Sequence, residues 1–186
     1  MSAAEFRVSL TPFADSPTAP VRAIAVSGCL TQSGRLELDY TLRGRVADIV
    51  LPAPATAPGR RDELWHHSCF EVFARPGSGE PYFEWNFSAS GDWAAYAFAA
   101  YRGSRAELEG SQPVCRARQP QADELILTAA ANFPVAPRRA AMEWCLNIAA
   151  VIEDRAGALS YWALCHPRPY PDFHDPAAFS LALASC

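Results

Sequence analysis

The feature that most constrains this chain is the alternation of apolar and polar side chains with a period of two. Leu36, Leu38, Tyr40 and Leu42 alternate with Glu37, Asp39, Thr41 and Arg43. A β-strand buries such a pattern on one face and wets it on the other, whereas a helix would scatter it around its axis. A strand is also expected over Val21–Leu30, and Thr31-Gln32-Ser33-Gly34 between the two supplies the polar, glycine-containing chemistry of a hairpin turn. Further strands are expected over 65–75, 81–88, 93–102, 114–118, 124–131, 143–153, 159–166 and 178–184. Residues 143–153 are read as strand in spite of Ala149-Ala150, because Trp144, Leu146, Ile148, Ala150 and Ile152 alternate. Pro52, Pro54 and Pro58 mark 51–59 as a connection that does not pair, and Gly77-Ser78-Gly79 and Ser90-Gly91-Asp92 mark turns. About ten short strands with punctuation every ten or so residues predict an all-β fold, a two-sheet antiparallel β-sandwich of jelly-roll type. No repeat or linker divides residues 1–186, so a single domain is expected.

Composition narrows the function classes. With 186 residues, half of them hydrophobic and 19% charged, a chain buries about 70% of its unfolded surface and folds without a metal or disulfide. The net charge of -4 comes with no run of like charge, which argues against a nucleic-acid partner. Every basic side chain is Arg, which removes Schiff-base lysines and the lysine of a phosphate loop. No apolar stretch approaches the ~20 residues that span a bilayer, and residues 1–10 carry Glu5 and Arg7 in place of an export signal's apolar run. A cytoplasmic protein without a membrane partner is therefore expected. The six cysteines, Cys29, Cys69, Cys115, Cys145, Cys165 and Cys186, form no C-x-x-C pair and read as reduced, mostly buried thiols.

The chemistry-bearing residues gather in the middle of the chain. By the pleat, Cys69, Glu71 and Phe73 share one face of their strand, and Tyr82, Glu84, Asn86 and Ser88 share one face of the next, opposite Phe83, Trp85 and Phe87. Two carboxylates, an amide and a tyrosine supply hydrogen bonds for a polyol, and Trp65, Trp93 or Tyr101 can stack on the apolar side of a sugar ring. The ligand-binding candidates are Glu71, Tyr82, Glu84, Asn86, Trp93 and Tyr101. The bland alternative has the glutamates in water or paired with Arg, and the rings filling the core.

A second group lies near the C-terminus, where His166, Asp172 and His174 have the chemistry of zinc, iron or copper ligands. Pro167, Pro169 and Pro171 point instead to a rigid loop closing one end of the domain. His66 and His67 are adjacent and in a strand would point to opposite faces. A haem would draw its axial ligand from these four histidines or Met142, and nothing marks any of them for it. No nucleophile elbow, phosphate loop, dinucleotide fingerprint or H-E-x-x-H is present. A Glu71 and Glu84 pair has the residue types for glycoside chemistry, but the expectation is a non-catalytic protein without a cofactor.

The segments Leu64-Trp65, Cys69-Phe70-Glu71-Val72-Phe73, Tyr82-Phe83-Glu84-Trp85-Asn86-Phe87-Ser88, Gly91-Asp92-Trp93-Ala94-Ala95-Tyr96 and Tyr161-Trp162-Ala163-Leu164, with His166-Pro167 and Asp172-Phe173-His174, carry a resemblance. From about residue 20 onward the chain resembles the DOMON-like proteins, relatives of the family 9 carbohydrate-binding modules, and within them a bacterial stand-alone subgroup of uncharacterised function. The resemblance implies a β-sandwich of roughly ten strands with a ligand cleft, in a superfamily whose characterised members bind sugars or haem. Haem-binding members use Met with His or Lys, and this chain has no Lys and Met142 as its only internal Met. The expected function is binding of a carbohydrate or other polar, sugar-like small molecule in a cleft on one sheet. Two alternatives stay open: a metal or haem protein, or metal-dependent enzyme, built on the His/Asp loop, and a domain that docks an unidentified protein partner.

Overall fold

The computed structural model describes residues 3–77, 79–134 and 143–184; Ser78, Met142 and Cys186, which figure in the expectations above, lie outside them. Among the described residues there is no α-helix. Twelve strands run in chain order as β1 (Ala4–Pro12), β2 (Val21–Leu30), β3 (Arg35–Gly44), β4 (Cys69–Pro76), β5 (Tyr82–Ser88), β6 (Trp93–Phe98), β7 (Arg105–Glu107), β8 (Val114–Gln121), β9 (Glu124–Asn132), β10 (Glu143–Glu153), β11 (Leu159–Ala163) and β12 (Leu181–Ala184). Strands β1 and β7 are additional to those expected. In β1 the alternation of Phe6, Val8 and Leu10 with Glu5, Arg7 and Ser9 is the same period-two pattern, and it turns the apolar set inward. The segment 64–66 is a single 3-10 turn rather than the start of β4, so His66 and His67 do not occupy opposite faces of a strand.

All twelve strands belong to one antiparallel ladder in the order β7-β6-β5-β4-β10-β11-β1-β2-β3-β9-β8, with β12 alongside the first residues of β10. The ladder is not closed. The ladder is continuous through β1, whose residues 4–10 pair with β2 while Thr11 and Pro12 pair with β11. A nine-residue strand is long enough to serve two partners in succession, and that change of partner carries the ladder from one half of the molecule to the other.

The two halves share one core. Val26, Leu38, Tyr40 and Leu127 from β2, β3 and β9 lie in the same apolar cluster as Phe70, Val72, Trp85 and Ile148 from β4, β5 and β10. The Tyr40 and Phe70 rings meet edge to face at 5.2 Å. Each such side chain contributes about 1.5–3 kcal/mol by leaving water. Strand β4 is buried along both faces from Cys69 to Ala74, because a second apolar cluster, with Phe73, Tyr82, Tyr96, Val151, Phe173 and Phe179, covers its outer side. Of these, Phe173 and Phe179 come from the segment after β11, which contains a 3-10 turn, Pro176–Ala178, capped by Asp175. No described helix is long and apolar enough to cross a membrane, and the five described cysteines are free thiols.

Tyr40 joins the two halves of the ladder, since its hydroxyl donates to the backbone oxygen of Glu71 at 2.8 Å in full burial. Tyr40→Phe is expected to cost about 1–3 kcal/mol. The reading is a lowered urea midpoint with an unchanged m-value.

Candidate functional site

The outer face of β4, β5, β6, β10 and β11 is built row by row from the strand register. Glu71 lies opposite Asn86 on β5 and Ala149 on β10; Asn86 lies opposite Ala94, and Ala149 opposite Ala163. One row across the sheet therefore reads Ala163, Ala149, Glu71, Asn86, Ala94. The next row carries Asn147, Phe73, Glu84 and Tyr96. The alanines of that row are fully buried in the second apolar cluster. Beside them lies a pocket of about 440 Å³, with Glu71 and Glu84 in its floor and Trp65, Phe98, Tyr161 and Phe173 among its walls.

Neither glutamate follows the bland expectation. Glu71 is 3% exposed and Glu84 is 4% exposed, so neither points to water. Neither has an ion-pair partner among the described residues. The Asn86 amide donates to Glu84 Oε1 at 2.6 Å, whereas Glu71 Oε1 is buried without any hydrogen-bond partner. Burial, reinforced by the charge of Glu84, holds the Glu71 carboxyl well above the usual range. Burial also pushes Glu84 up to about 7, against the lowering effect of the Asn86 bond and of Arg105 and Arg102. A carboxyl kept protonated in this way can donate a hydrogen bond as well as accept one.

The rim is held by a polar clamp. The Asp172 carboxylate, also buried, accepts from the Tyr101 hydroxyl at 2.5 Å, from Arg102 at 2.9 Å and from the His174 backbone N–H at 3.1 Å. Burial alone would raise Asp172, but the Tyr101 and Arg102 bonds outweigh it and hold the group below its ordinary value. Arg102 has a left-handed backbone, φ 48°, which aims its guanidinium at the loop. The His174 ring sits within bonding distance of the Tyr82 hydroxyl, 2.8 Å at Nδ1, and packs edge-on against Phe73 and Phe98. Burial, with the Arg102 charge, lowers His174 to about 4, so the ring is neutral near pH 7. Arg105 lies over the Tyr96 ring at 4.6 Å and the Trp65 ring at 5.3 Å.

Of the residues singled out from sequence, Glu71, Glu84 and Asn86 come together. Tyr82 and Tyr101 line an adjacent cavity of about 270 Å³, and His174 lines both spaces. Trp93 is not at the pocket: it faces Phe87 on the inner side of the sheet and packs against the main core. Even-numbered residues of β6 face out, so Tyr96 and Phe98 take that side; the same parity count applied to β6 finds them. Trp65 and Arg105 come from outside the β4–β6 ladder positions, and no sequence spacing points to Arg102 or Arg105. His166, Asp172 and His174 do not converge. His166 Nε2 lies 2.9 Å from the Thr11 backbone oxygen, Asp172 is spent on the clamp, and no group of three or more metal-binding side chains occurs among the described residues. Met142 lies outside the described residues.

A larger hollow of about 570 Å³ lies on the other half, lined by Arg35, Glu37, Asp39 and Thr128. There Arg35 pairs with Glu37 at 2.9 Å and Thr128 with Asp39 at 2.6 Å. Among the described residues no buried unpartnered polar atom belongs to its lining. Of these two, the acid-floored pocket is the one that holds a buried acceptor without a partner.

No protein-family model matches the chain, and no curated protein matches it by sequence. A solved structure from Bacteroides uniformis, named a "putative carbohydrate-binding protein", has a similar fold, with a TM-score of 0.68 over 97% of this chain and 85% of that one. The two are 15% identical, a level at which the likeness establishes the all-β fold.

The two perturbed groups act on stability with opposite signs. Glu84 keeps its proton up to about 7 in the folded protein, above its ordinary 4.5, so its contribution falls as pH rises through that window. His174, lowered to about 4 from 6.5, contributes stability that grows as pH rises across its own window. Glu84→Gln isolates the first: relative to wild type, its stability should improve steadily from below pH 4.5 to above pH 7. Urea titrations across that range check it, and parallel curves for the two proteins would refute the assignment.

Proposed function

We propose that the chain is a non-catalytic binding domain for a carbohydrate or another polar, sugar-like small molecule, held in the pocket over Glu71, Glu84 and Asn86. The observation that carries the reading is the unpartnered, buried Glu71 Oε1 in the floor of an aromatic-walled pocket. A buried carboxyl oxygen without a partner costs about 1–3 kcal/mol, more when charged, and a ligand hydroxyl would remove that cost. The rings offer apolar faces to the C–H side of a sugar, and the clamp on Asp172 holds the cover segment in place without the ligand. The carbohydrate binding ascribed to the Bacteroides uniformis neighbour supports the same class.

The finer parts of the reading are proposals with it. They are a DOMON-like domain over residues 1–186, a ladder folded into two sandwich layers, a cytoplasmic site of action, and Tyr82 and Tyr101 as second-cavity contacts of the bound molecule.

Thermal-shift titration with a panel of neutral sugars and sugar phosphates tests it. A ligand at ~100 times its Kd adds about 2.7 kcal/mol, a rise on the order of 5–10 °C for a domain of this size. Glu84→Ala and Trp65→Ala are each expected to weaken binding by about 1–3 kcal/mol, ~5- to 150-fold in Kd. A sugar whose affinity neither substitution changes binds elsewhere, and the pocket assignment then fails.

A further inference from the structure

Resting on the pocket reading above, the chemistry of the floor narrows the ligand further. Glu71 and Glu84 stand on adjacent strands in a diagonal relation, Glu71 opposite Asn86 and Glu84 opposite Phe73, about 7–8 Å apart at Cα. The one polar donor placed between them, the Asn86 amide, is spent on Glu84. Arg102 is committed to Asp172 at 2.9 Å, and Arg105 lies over two rings. The floor thus has two acids, a free acceptor at Glu71 Oε1, and no described cation paired with either, since Arg102 and Arg105 act on Glu84 only through space. A neutral hydroxyl would satisfy the free acceptor but leave each acid dependent on its own proton for neutrality. An ammonium brings three N–H donors and a charge that takes the place of that proton, and Tyr161 and Phe173 on the pocket walls give a cation aromatic surroundings, while the Trp65 ring is already taken by Arg105.

We propose that the group seated on this floor is a protonated primary amine, which for a sugar-like ligand means an amino sugar, with its N–H donors on Glu71 Oε1 and the Glu84 carboxylate. In the empty pocket a proton does the work of the counter-ion. On binding, the ammonium replaces it, the carboxyl ionises, and the displaced proton leaves to the buffer. Other titratable or charged groups facing the pair are Cys69 on β4, Tyr82 on β5, Tyr96 on β6, Tyr161 on β11, Arg102, Arg105, His66, Asp172 and His174. Of these, Cys69, Tyr82 and Tyr96 are pushed upward by burial, and His174 is neutral.

The test pairs ligands that differ only in this group: D-glucosamine against D-glucose, and cyclohexylamine against cyclohexanol. Each is titrated calorimetrically into the full chain near neutral pH, in two buffers of different ionisation enthalpy. The amine member should bind about tenfold or more tightly than its hydroxyl twin and release protons to the buffer. Glu71→Gln and Glu84→Gln, which keep side-chain shape and are first checked for an unchanged far-ultraviolet circular dichroism spectrum, should each abolish that preference. Equal or tighter binding of the hydroxyl twin at the pocket overturns the amine and leaves the carbohydrate reading standing. Amine binding without proton release, or insensitive to both substitutions, also overturns it. Binding of neither pair overturns it as well, and the sugar panel then judges the pocket on its own.

Discussion

Strands β4, β5 and β10 are covered on both faces, and that double burial governs what their side chains can do. On the inner side they meet the other half of the ladder through Tyr40, Phe70, Val72 and Trp85. On the outer side the segment after β11 lays Phe173 and Phe179 over Phe73 and Tyr82. An acid placed on either face of such a strand is taken out of water, and it must find a partner, hold its proton or wait for a ligand. Glu71 and Glu84 lie on the outer face and form part of the pocket lining there.

The cover is fastened by a charge rather than by apolar contact alone. Asp172 draws the Tyr101-Arg102 turn and the His174 backbone onto one buried carboxylate. The same segment is held at a second point by the buried Asp175, which accepts from Arg168 and from the Ala177 backbone N–H. Both anchors are spent on fastening the cover, so Asp172 serves the architecture around the pocket. Because the cover is tied to the β6–β7 turn, the walls of the pocket come from segments far apart in the chain, Trp65 on one side and Tyr161 and Phe173 on another.

Period-two patterning makes much of this legible in advance. It puts Glu71 on one face of β4, and Glu84 and Asn86 on one face of β5, and the observed pairing of Glu71 with Asn86 makes those two faces one. Trp93 is suggested only by its being an aromatic residue near the acids, which says nothing of which way its strand is phased; its pairing with Phe87 turns it into the core. Strand β1 carries the alternation plainly in Phe6, Val8 and Leu10. Strand β7 is three residues long, too short for any periodicity to mark.

What the sequence by itself determined is the strand-forming alternation, and with it the all-β class and the face that each acid takes within its own strand, because side-chain direction along a strand follows from backbone geometry and needs no information from elsewhere. Which face is covered, how β1 joins the two halves, that the acids are dry and unpaired, and that Trp65 and Arg105 stand over them were decided by the tertiary structure. These depend on contacts between segments separated by tens of residues, and the free energy of burying or neutralising a carboxyl is set by that surrounding and not by its neighbours in the chain.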